Sequence, residues 1–329
     1  MMSAATMKEV ARKAGVSAIT VSRVINTAAY VRPSTRARVE AAIAELRYIP
    51  NQMASSLRSH QTNILALVLP TITNSFWTTI ARGAEDEAES RGYSVFLCNT
   101  DDDPAKEARY LEVLLRHRVD GVSIIPTARS APTLRRLEQH EMTFVQLHRR
   151  AEGVQSDIVR GDSRGGAYIL TRHLLDVGWR RIGYVGGPIT SFTGHDRLAG
   201  YEEALASAGI AVDPALIRVG PYRQQTGYLL VKDLLQTKAR PDALFIGNSR
   251  LALGALRAIT EAGCRMPEDI GVASFYDVPA LDDYSPFMTT AIQPAYEIGR
   301  LGVSRLLDRI AGNDDAQREI ILPNRIIAR

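Results

Sequence analysis

The sequence predicts a chain of two parts: a small all-α head and a larger α/β body with doubly wound parallel sheets. Two short helical patterns joined by a glycine turn open the chain, and strand and helix patterns alternate after residue 63. Charge divides the chain at the same place, because residues 1–60 carry a net charge of +6 and residues 61–329 carry −2. A basic head on a nearly neutral body is typical of a nucleic-acid-binding module attached to another domain.

Residues 6–26 carry the local signals of two helices joined by a tight turn. Thr6 and Glu9 form the S/T-x-x-E capping box that begins a helix. Gly15 supplies the turn, because a left-handed backbone costs little without a Cβ. Ser17 is then placed to cap the second helix.

The second helix has two different faces. Val21, Val24 and Ile25 turn inward at i, i+3 and i+4 spacing. The outward side chains are small, polar or basic, which suits contact with bases and phosphates in a DNA major groove. This pattern predicts a helix-turn-helix head whose outward residues are Ala18, Ile19, Thr20, Ser22, Arg23 and Asn26.

A third helix and a short linking segment follow. Pro33 suits a first helical position, and Val39, Ile43 and Leu46 form an apolar stripe that closes a three-helix core. Residues 51–58 are compatible with a helix but too few to be stable alone, since isolated helices shorter than about 12–15 residues are marginal in water. We therefore expect them to be helical only when something holds them.

Length and cysteine content limit the class of protein. A chain of 329 residues allows two or three domains. Cys98 and Cys264 are its only cysteines, so a disulfide framework is not indicated and a reducing cytosol is expected. No apolar run approaches about 18 residues, and the N-terminus lacks a signal-peptide pattern, so we expect a cytoplasmic protein without a membrane span.

The body alternates strands and helices. Residues 64–69 form a continuous apolar run, as expected of a strand buried on both faces of a parallel sheet. Strands are predicted at 64–69, 93–97, 121–125, 144–147, 182–185, 243–246 and 270–274, and helices at 76–91, 105–117, 163–177, 197–208, 226–235 and 250–262. Two similar halves predict two lobes with a cleft between them.

Catalysis has no positive support in these residues. Residues 183–188 lack the G-x-G-x-x-G spacing of a phosphate-binding loop, and residues 101–104 suit a loop and helix cap better than a catalytic carboxylate pair. The six histidines show no metal-binding spacing, and no G-x-S-x-G nucleophile motif occurs. We therefore expect no enzymatic activity, no metal and no cofactor.

The head motifs and the body together resemble the LacI/GalR (lactose/galactose repressor) family. The resemblance rests on Ala11-x-x-Ala14-Gly15-Val16-Ser17, on Thr20-Val21-Ser22-Arg23-Val24, and on three later segments: Thr35-Arg36, Tyr48-x-Pro50-Asn51 and Ser56-Leu57-Arg58. It implies a head over 1–50, a hinge helix and linker over 51–62, and a body over 63–329 that looks like periplasmic sugar-binding proteins. The chain would then cross between lobes near residues 160, 290 and 320. The first lobe would hold about 63–160 and 293–320, and the second about 161–291 and 321–329.

The resemblance also implies which residues touch DNA. Ala18, Ile19 and Arg23 match the main base-reading positions, and Leu57, with Ala54 beside it, matches a leucine that wedges into a central minor-groove step. Such a wedge bends the duplex so that more protein surface meets it. Arg32 departs from the serine common at the cap of the third helix. The full DNA-binding set expected is Thr6, Ser17, Ala18, Ile19, Thr20, Ser22, Arg23, Asn26, Tyr30, Thr35, Asn51, Gln52, Ala54, Leu57 and Arg58.

Ligand contacts are expected at the strand ends that face the cleft. Arg197, in Arg197-Leu198-Ala199-Gly200-Tyr201, matches the effector-contacting arginine of the family closely. The expected effector-binding set is Phe76, Trp77, His148, Arg149, Thr193, Arg197, Tyr222, Asn248, Tyr276 and Gln293.

Three departures from the family pattern change the charge expected in the cleft. His148 and Tyr276 stand where the family commonly has aspartates, and Arg250 follows Asn248-Ser249 where Asn-Asp is usual. The cleft is therefore less acidic, which favours an anionic effector such as a sugar acid or phosphorylated sugar over a neutral sugar.

The sequence as a whole predicts a homodimeric repressor that binds a pseudo-palindromic operator under control of a small metabolite. Two alternatives remain: a cytosolic ligand-binding protein and an enzyme with a borrowed DNA-binding head. Ligand-sensitive DNA binding without turnover distinguishes the regulator from both.

Overall fold

The computed structural model describes residues 5–25, 31–49, 61–275, 287–313 and 315–329. The chain divides into two compact units, Met1–Thr62 and Asn63–Arg329. No described helix is long and apolar enough to cross a membrane.

The described residues of the first unit form three helices: α1 (Met7–Ala14), α2 (Ala18–Ile25) and α3 (Pro33–Leu46). The predicted capping box is present, since the Glu9 amide donates to Thr6 Oγ1 at 3.3 Å and the Thr6 amide donates to Glu9 Oε2 at 2.7 Å. Gly15 ends α1 with φ +63°, the left-handed conformation expected of the turn. The Thr20 amide donates to Ser17 Oγ at 3.2 Å, which is the predicted cap of α2.

The core of the head differs in one detail from the predicted stripe. Val10, Val21 and Val39 are fully buried, as the helical spacing requires. On α3, however, Ala42 is buried, while Ile43 and Leu46 are only partly buried against the core. The i, i+4, i+7 spacing chosen from the sequence therefore lies at the edge of the buried face rather than along its centre.

The first lobe of the body is a six-stranded sheet flanked by helices. Its strand order is β11-β5-β4-β3-β1-β2, and all its pairings are parallel. The strands are β1 (Ile64–Leu69), β2 (Ser94–Asn99), β3 (Gly121–Ile124), β4 (Phe144–Leu147), β5 (Asp157–Gly161) and β11 (Glu319–Leu322), and the helices are α4 (Ser75–Ser90), α5 (Pro104–His117), α6 (Ala131–Gln139) and α11 (Ala295–Ile310). Leu65 to Leu69 on β1 are buried, as the continuous apolar run predicts.

The second lobe repeats this plan. Its strand order is β12-β10-β9-β8-β6-β7, with β12 antiparallel to β10. The strands are β6 (Ile182–Gly186), β7 (Ile217–Val219), β8 (Ala243–Ile246), β9 (Gly271–Phe275), β10 (Met288–Ile292) and β12 (Arg325–Ile327), and the helices are α7 (Ser163–Asp176), α8 (Phe192–Ser207), α9 (Gln224–Gln236) and α10 (Ser249–Glu261), with a 3-10 turn at Pro214–Leu216.

The described elements show three crossings of the chain between the two lobes. The crossings follow β5, β10 and β11, because each of these strands precedes an element of the other lobe. The body is thus a two-lobed α/β structure with parallel sheets, as the sequence predicts, and each lobe is built from discontinuous parts of the chain.

Several elements were missing from the sequence-based prediction, and one helix start was wrong. The strands β5, β7, β10, β11 and β12 and the helices α6 and α11 were not predicted. The missed strands are only three to five residues long, whereas α11 buries Ile298, Gly302 and Leu306 at helical spacing, a signal that the sequence-based prediction overlooked. Helix α8 begins at Phe192 instead of residue 197, because Ser191 Oγ accepts from the Gly194 amide at 3.1 Å and caps the helix earlier. The earlier start adds a turn that faces the cleft.

Candidate functional site

The head presents an exposed helix face that suits DNA. Ile19 is 67% exposed, and Arg23 is exposed and forms no ion pair with any residue that the structure describes. Ser17 and Thr20, whose hydroxyl oxygens lie 3.0 Å apart, stand at the start of α2, the end that meets base edges in helix-turn-helix proteins. Ala18 and Ser22 are half-buried.

Two further members of the expected DNA-binding set lie on the other helices of the head. Thr6 is committed to capping α1 through Glu9, so its hydroxyl has a structural role as well. Thr35 is half-buried in the first turn of α3.

Eight predicted site residues lie outside the described residues: Asn26, Tyr30, Asn51, Gln52, Ala54, Leu57 and Arg58 of the DNA-binding set, and Tyr276 of the effector set. Most of the predicted hinge helix and linker, residues 51–62, also lies outside the described residues, so these assignments stay predictions.

A cleft of about 940 Å³ separates the two lobes of the body. It lies at the carboxyl ends of the parallel strands, where loops from both sheets converge. The nine members of the effector set that the structure describes all line it: Phe76, Trp77, His148, Arg149, Thr193, Arg197, Tyr222, Asn248 and Gln293.

Three rings form an aromatic wall on the first lobe. The His148 ring lies edge-on to Phe76 at 4.8 Å and to Trp77 at 5.1 Å between ring centroids. His148 follows β4 with φ +59°, a left-handed conformation that turns the chain sharply at the strand end. Flat apolar faces of this kind pack against the carbon face of a ligand ring.

His148 itself is buried among groups that disfavour its charged form. Burial, and then the nearby guanidinium groups of Arg197, Arg149 and Arg160, hold the pKa of His148 well below its usual range. Its Nδ1 atom is buried without a hydrogen-bond partner among the described residues. Because buried polar atoms are nearly always paired, this nitrogen is a natural contact for a ligand.

Arg149 is already paired. Its Nη1 atom lies 2.6 Å from Asp102 Oδ1, and the guanidinium stacks 5.5 Å from the centre of the Trp77 ring. It also donates to the Pro126 carbonyl at 3.4 Å. Arg149 thus stiffens the aromatic wall, and much of its charge is neutralised before any ligand arrives.

Arg197 has the opposite character. Arg197 is only 5% exposed, yet no described carboxylate pairs with its guanidinium. Nη1 donates to the Gly247 carbonyl, the guanidinium lies 4.1 Å from the centre of the Phe275 ring, and Nε has no partner among the described residues. No carboxylate of the described residues neutralises this buried cation, and a buried cation is unfavourable unless some group supplies the negative charge.

The second lobe supplies the remaining polar groups. Tyr222 Oη is buried without a described partner. Asn248 Oδ1 accepts from the Leu251 amide at 2.9 Å and caps α10, which leaves the amide nitrogen and a second lone pair of Oδ1 for a ligand. Thr193 of the second lobe is buried at the cleft wall, and so is Gln293, which lies at the crossing between β10 and α11.

The sequence-based set missed several lining residues. Arg129 and Arg223 lie at the exposed rim, Arg150 follows Arg149, and Ser249 is buried beside Asn248. Among the residues that the structure describes, six arginines and three acidic residues line the cleft, so this part of its lining carries an excess of positive charge. No group of three or more acidic, histidine or cysteine side chains suited to a metal ion occurs within the described part of the chain.

A DNA-binding helix face on one unit and a two-lobed ligand cleft on the other define a ligand-binding transcription regulator. Residues 6–51 match the sequence profile of bacterial regulatory proteins of the lacI family, and residues 62–329 match that of periplasmic binding proteins and the sugar binding domain of the LacI family. The chain belongs to the LacI family of DNA-binding transcriptional repressors.

Similar proteins agree with this assignment. The ribose operon repressor of Escherichia coli K12 is 35% identical over 307 residues, covering 93% of each chain. The HTH-type transcriptional repressor PurR of Haemophilus influenzae PittEE is 33% identical over 315 residues, covering 96% of this chain and 94% of the relative. Among solved structures, the Lac repressor dimer bound to operator and the anti-inducer ONPF matches with a TM-score of 0.88 at 29% identity, covering 99% of this chain and 98% of that one.

Proposed function

We propose that this protein is a homodimeric repressor that binds a pseudo-palindromic operator and is controlled by an anionic sugar derivative in the inter-lobe cleft. The buried Arg197, which lacks a carboxylate partner among the described residues, carries the effector part of the proposal. The exposed face of α2 carries the DNA part.

Two heads are needed for useful specificity. Helix α2 has only eight residues, and a single recognition helix contacts few base pairs. Two copies on half-sites related by a two-fold axis double the sequence that is read. The Lac repressor, a structural relative, was solved as a dimer bound to its operator, which supports the same arrangement here.

An exposed apolar surface on the first lobe is suited to the second copy. Phe96 and Leu97 are neighbours on the edge strand β2, where they are 50% and 47% exposed although their side chains point to opposite faces of the sheet. Ile72, 53% exposed, lies beside the end of this strand, since its amide donates to Asn99 Oδ1 at 3.0 Å. Open, apolar sheet edges are normally covered, and we assign this one to the dimer interface.

The effector class follows from the charges of the cleft. The Arg197 guanidinium offers a planar fork that matches a carboxylate or phosphate, and such pairs are strongest where water is largely excluded. The aromatic wall of Phe76, Trp77 and His148 suits the carbon face of a sugar ring. Together these features favour a sugar acid or a phosphorylated sugar.

We further propose that the protein has no catalytic activity and acts in the cytoplasm, where it meets its operator DNA. The relatives in the comparison are named as transcriptional repressors, and this supports a regulator over a ligand-transport protein or an enzyme with a borrowed head. Whether ligand releases or strengthens DNA binding is the outcome of the test below.

The proposal is tested by fluorescence anisotropy of operator DNA selected from random sequences with the full-length protein. We expect gluconate, glucuronate or glucose 6-phosphate to change operator affinity by about 5–150-fold, the usual range of coupling between two sites. The ligand should be recovered chemically unchanged after incubation. Operator affinity that no sugar acid or sugar phosphate alters, or net conversion of the ligand to a product, would refute the proposal.

A further inference from the structure

One aromatic ring of the second lobe is held between two arginines of the first lobe. Phe192 is the first residue of α8, and its ring centre lies 5.2 Å from the Arg150 guanidinium carbon and 5.1 Å from that of Arg160. Arg160 lies on β5, and Arg150 follows β4. Arginine stacks readily on aromatic faces, so both contacts attract, and both join the lobes at the edge of the cleft.

An ion pair reinforces the same junction. Arg160 Nη1 lies 3.6 Å from Oδ2 of Asp196, one turn further along α8. The two side chains are only 11% and 15% exposed, so solvent and salt screen the pair less than a surface pair. Glu319 on β11 lies beside both arginines and orients them: its carboxylate accepts a hydrogen bond from Arg160 Nε and lies 3.8 Å from Arg150 Nη1.

The helix that enters this junction also carries the ligand groups. Residues four apart lie on one face of a helix, so Phe192 and Asp196 share one face of α8, while Thr193 and Arg197 share the adjacent face. The first face meets the first lobe, and the second lines the cleft. Any movement of the first turn of α8 relative to the first lobe therefore also moves Arg197.

We propose that Arg150, Phe192, Arg160 and Asp196 form an inter-lobe latch that holds the lobes together in the ligand-free protein and positions Arg197 for the effector. Arg160 and Asp196 are thus positioning residues, which act on the ligand through α8. The inference about ligand affinity rests on the proposed function, whereas the inference about lobe closure does not.

Breaking the latch should lower the population of the closed arrangement. When only that arrangement binds tightly, the apparent affinity falls in proportion to its population. The intrinsic contacts to the ligand remain, so the loss appears without any change in the residues that touch it. A purely structural role would instead lower thermal stability and leave both lobe opening and ligand affinity unchanged.

Lobe opening can be measured without any ligand through Trp77, which lines the cleft and is only 8% exposed. The chain has two tryptophans, and the other, Trp179, packs against the core of the second lobe, so Trp179→Phe leaves Trp77 as the sole reporter. In this full-length background we expect Arg160→Gln and Phe192→Leu each to raise acrylamide quenching of Trp77 about twofold or more.

Arg164→Gln is the matched control, because Arg164 pairs with Glu203 of α8 but both residues belong to the second lobe. We expect acrylamide to quench Trp77 fluorescence in this variant as much as in the parent. Trp77 should be quenched no more in the double variant Arg160→Gln/Asp196→Asn than in Arg160→Gln alone, since both changes break the same ion pair. Hydrogen exchange at the first turn of α8, measured with Trp179 intact, should rise in the same variants. The latch would be overturned if Trp77 quenching and hydrogen exchange were unchanged in Arg160→Gln and Phe192→Leu. It would also be overturned if both rose equally in the control Arg164→Gln.

Gluconate binding then separates the two proposals. If Arg164→Gln binds gluconate as the parent does and Arg160→Gln binds it severalfold more weakly, the latch also regulates the site. Equal gluconate affinity in these two variants overturns the coupling to Arg197, even where quenching shows opening. If the parent binds no sugar acid at all, the effector proposal fails, while the quenching comparison still decides whether the latch exists.

Discussion

Replacing Arg197 by Gln is expected to remove most of the affinity for an acidic effector. Glutamine keeps a polar, similarly shaped side chain but removes the buried positive charge that lacks a described carboxylate partner. Truncating one member of a buried charge pair costs about 2–5 kcal/mol, which corresponds to a loss of at least ~30-fold in affinity. Isothermal calorimetry of the full-length variant with gluconate, glucuronate and glucose 6-phosphate measures this loss of affinity.

The stability of the ligand-free Arg197 variant distinguishes this account from a structural role. Since the variant removes a buried charge that nothing described neutralises, we expect its unfolding midpoint to be unchanged or higher. Arg250→Gln is the control, because Arg250 lines the exposed rim of the cleft and should contribute far less. Retained acid binding in Arg197→Gln, or an effect of Arg250→Gln just as large, would contradict the assignment.

Placing a charge on the edge of the first-lobe sheet is expected to separate the dimer. Phe96→Asp puts a carboxylate on the half-exposed side chain at the centre of β2, and two copies meeting there would bury both charges. Analytical ultracentrifugation should show a monomer at concentrations where the parent is a dimer. Operator affinity should then fall by about 10²–10⁴-fold, the usual gain from linking two binding modules.

Ile169→Asp provides the matched control for this change. Ile169 on α7 is 46% exposed, almost as much as Phe96, but it lies on the second lobe away from the β2 edge. This variant should remain dimeric and bind the operator like the parent. A dimeric Phe96→Asp variant with unchanged operator affinity would show that another surface joins the two copies.

Local signals explain which parts of the structure the sequence could predict. Thr6, Glu9, Gly15 and Ser17 act on the backbone within a few residues, so the head helices were predicted with their caps. The apolar run of β1 is buried on both faces of a sheet and gives the same clear signal. Residues at strand ends were expected near the cleft because parallel strands align their carboxyl ends at one edge.

Contacts between distant segments explain the remainder. The sequence around Arg149 does not indicate that Asp102 neutralises its charge, since the two residues are 47 positions apart in the chain. The latch pairs Arg160 with Asp196, and Glu319 orients Arg160, although these three residues lie far apart in the chain and only the crossings between the lobes bring them together. Likewise, the sequence indicates a strand at β2, but only the strand order reveals that it forms an edge.

The central claim is that Arg197, which no carboxylate of the described residues neutralises, selects an anion, and matched ligands test it most directly. Calorimetry of the full-length protein compares glucose with gluconate, glucuronate and glucose 6-phosphate at low and high salt. We expect one of the acidic ligands to bind at least ~10-fold more tightly than glucose, with an affinity that falls as salt rises. Tighter binding of glucose, undiminished by salt, would contradict the claim.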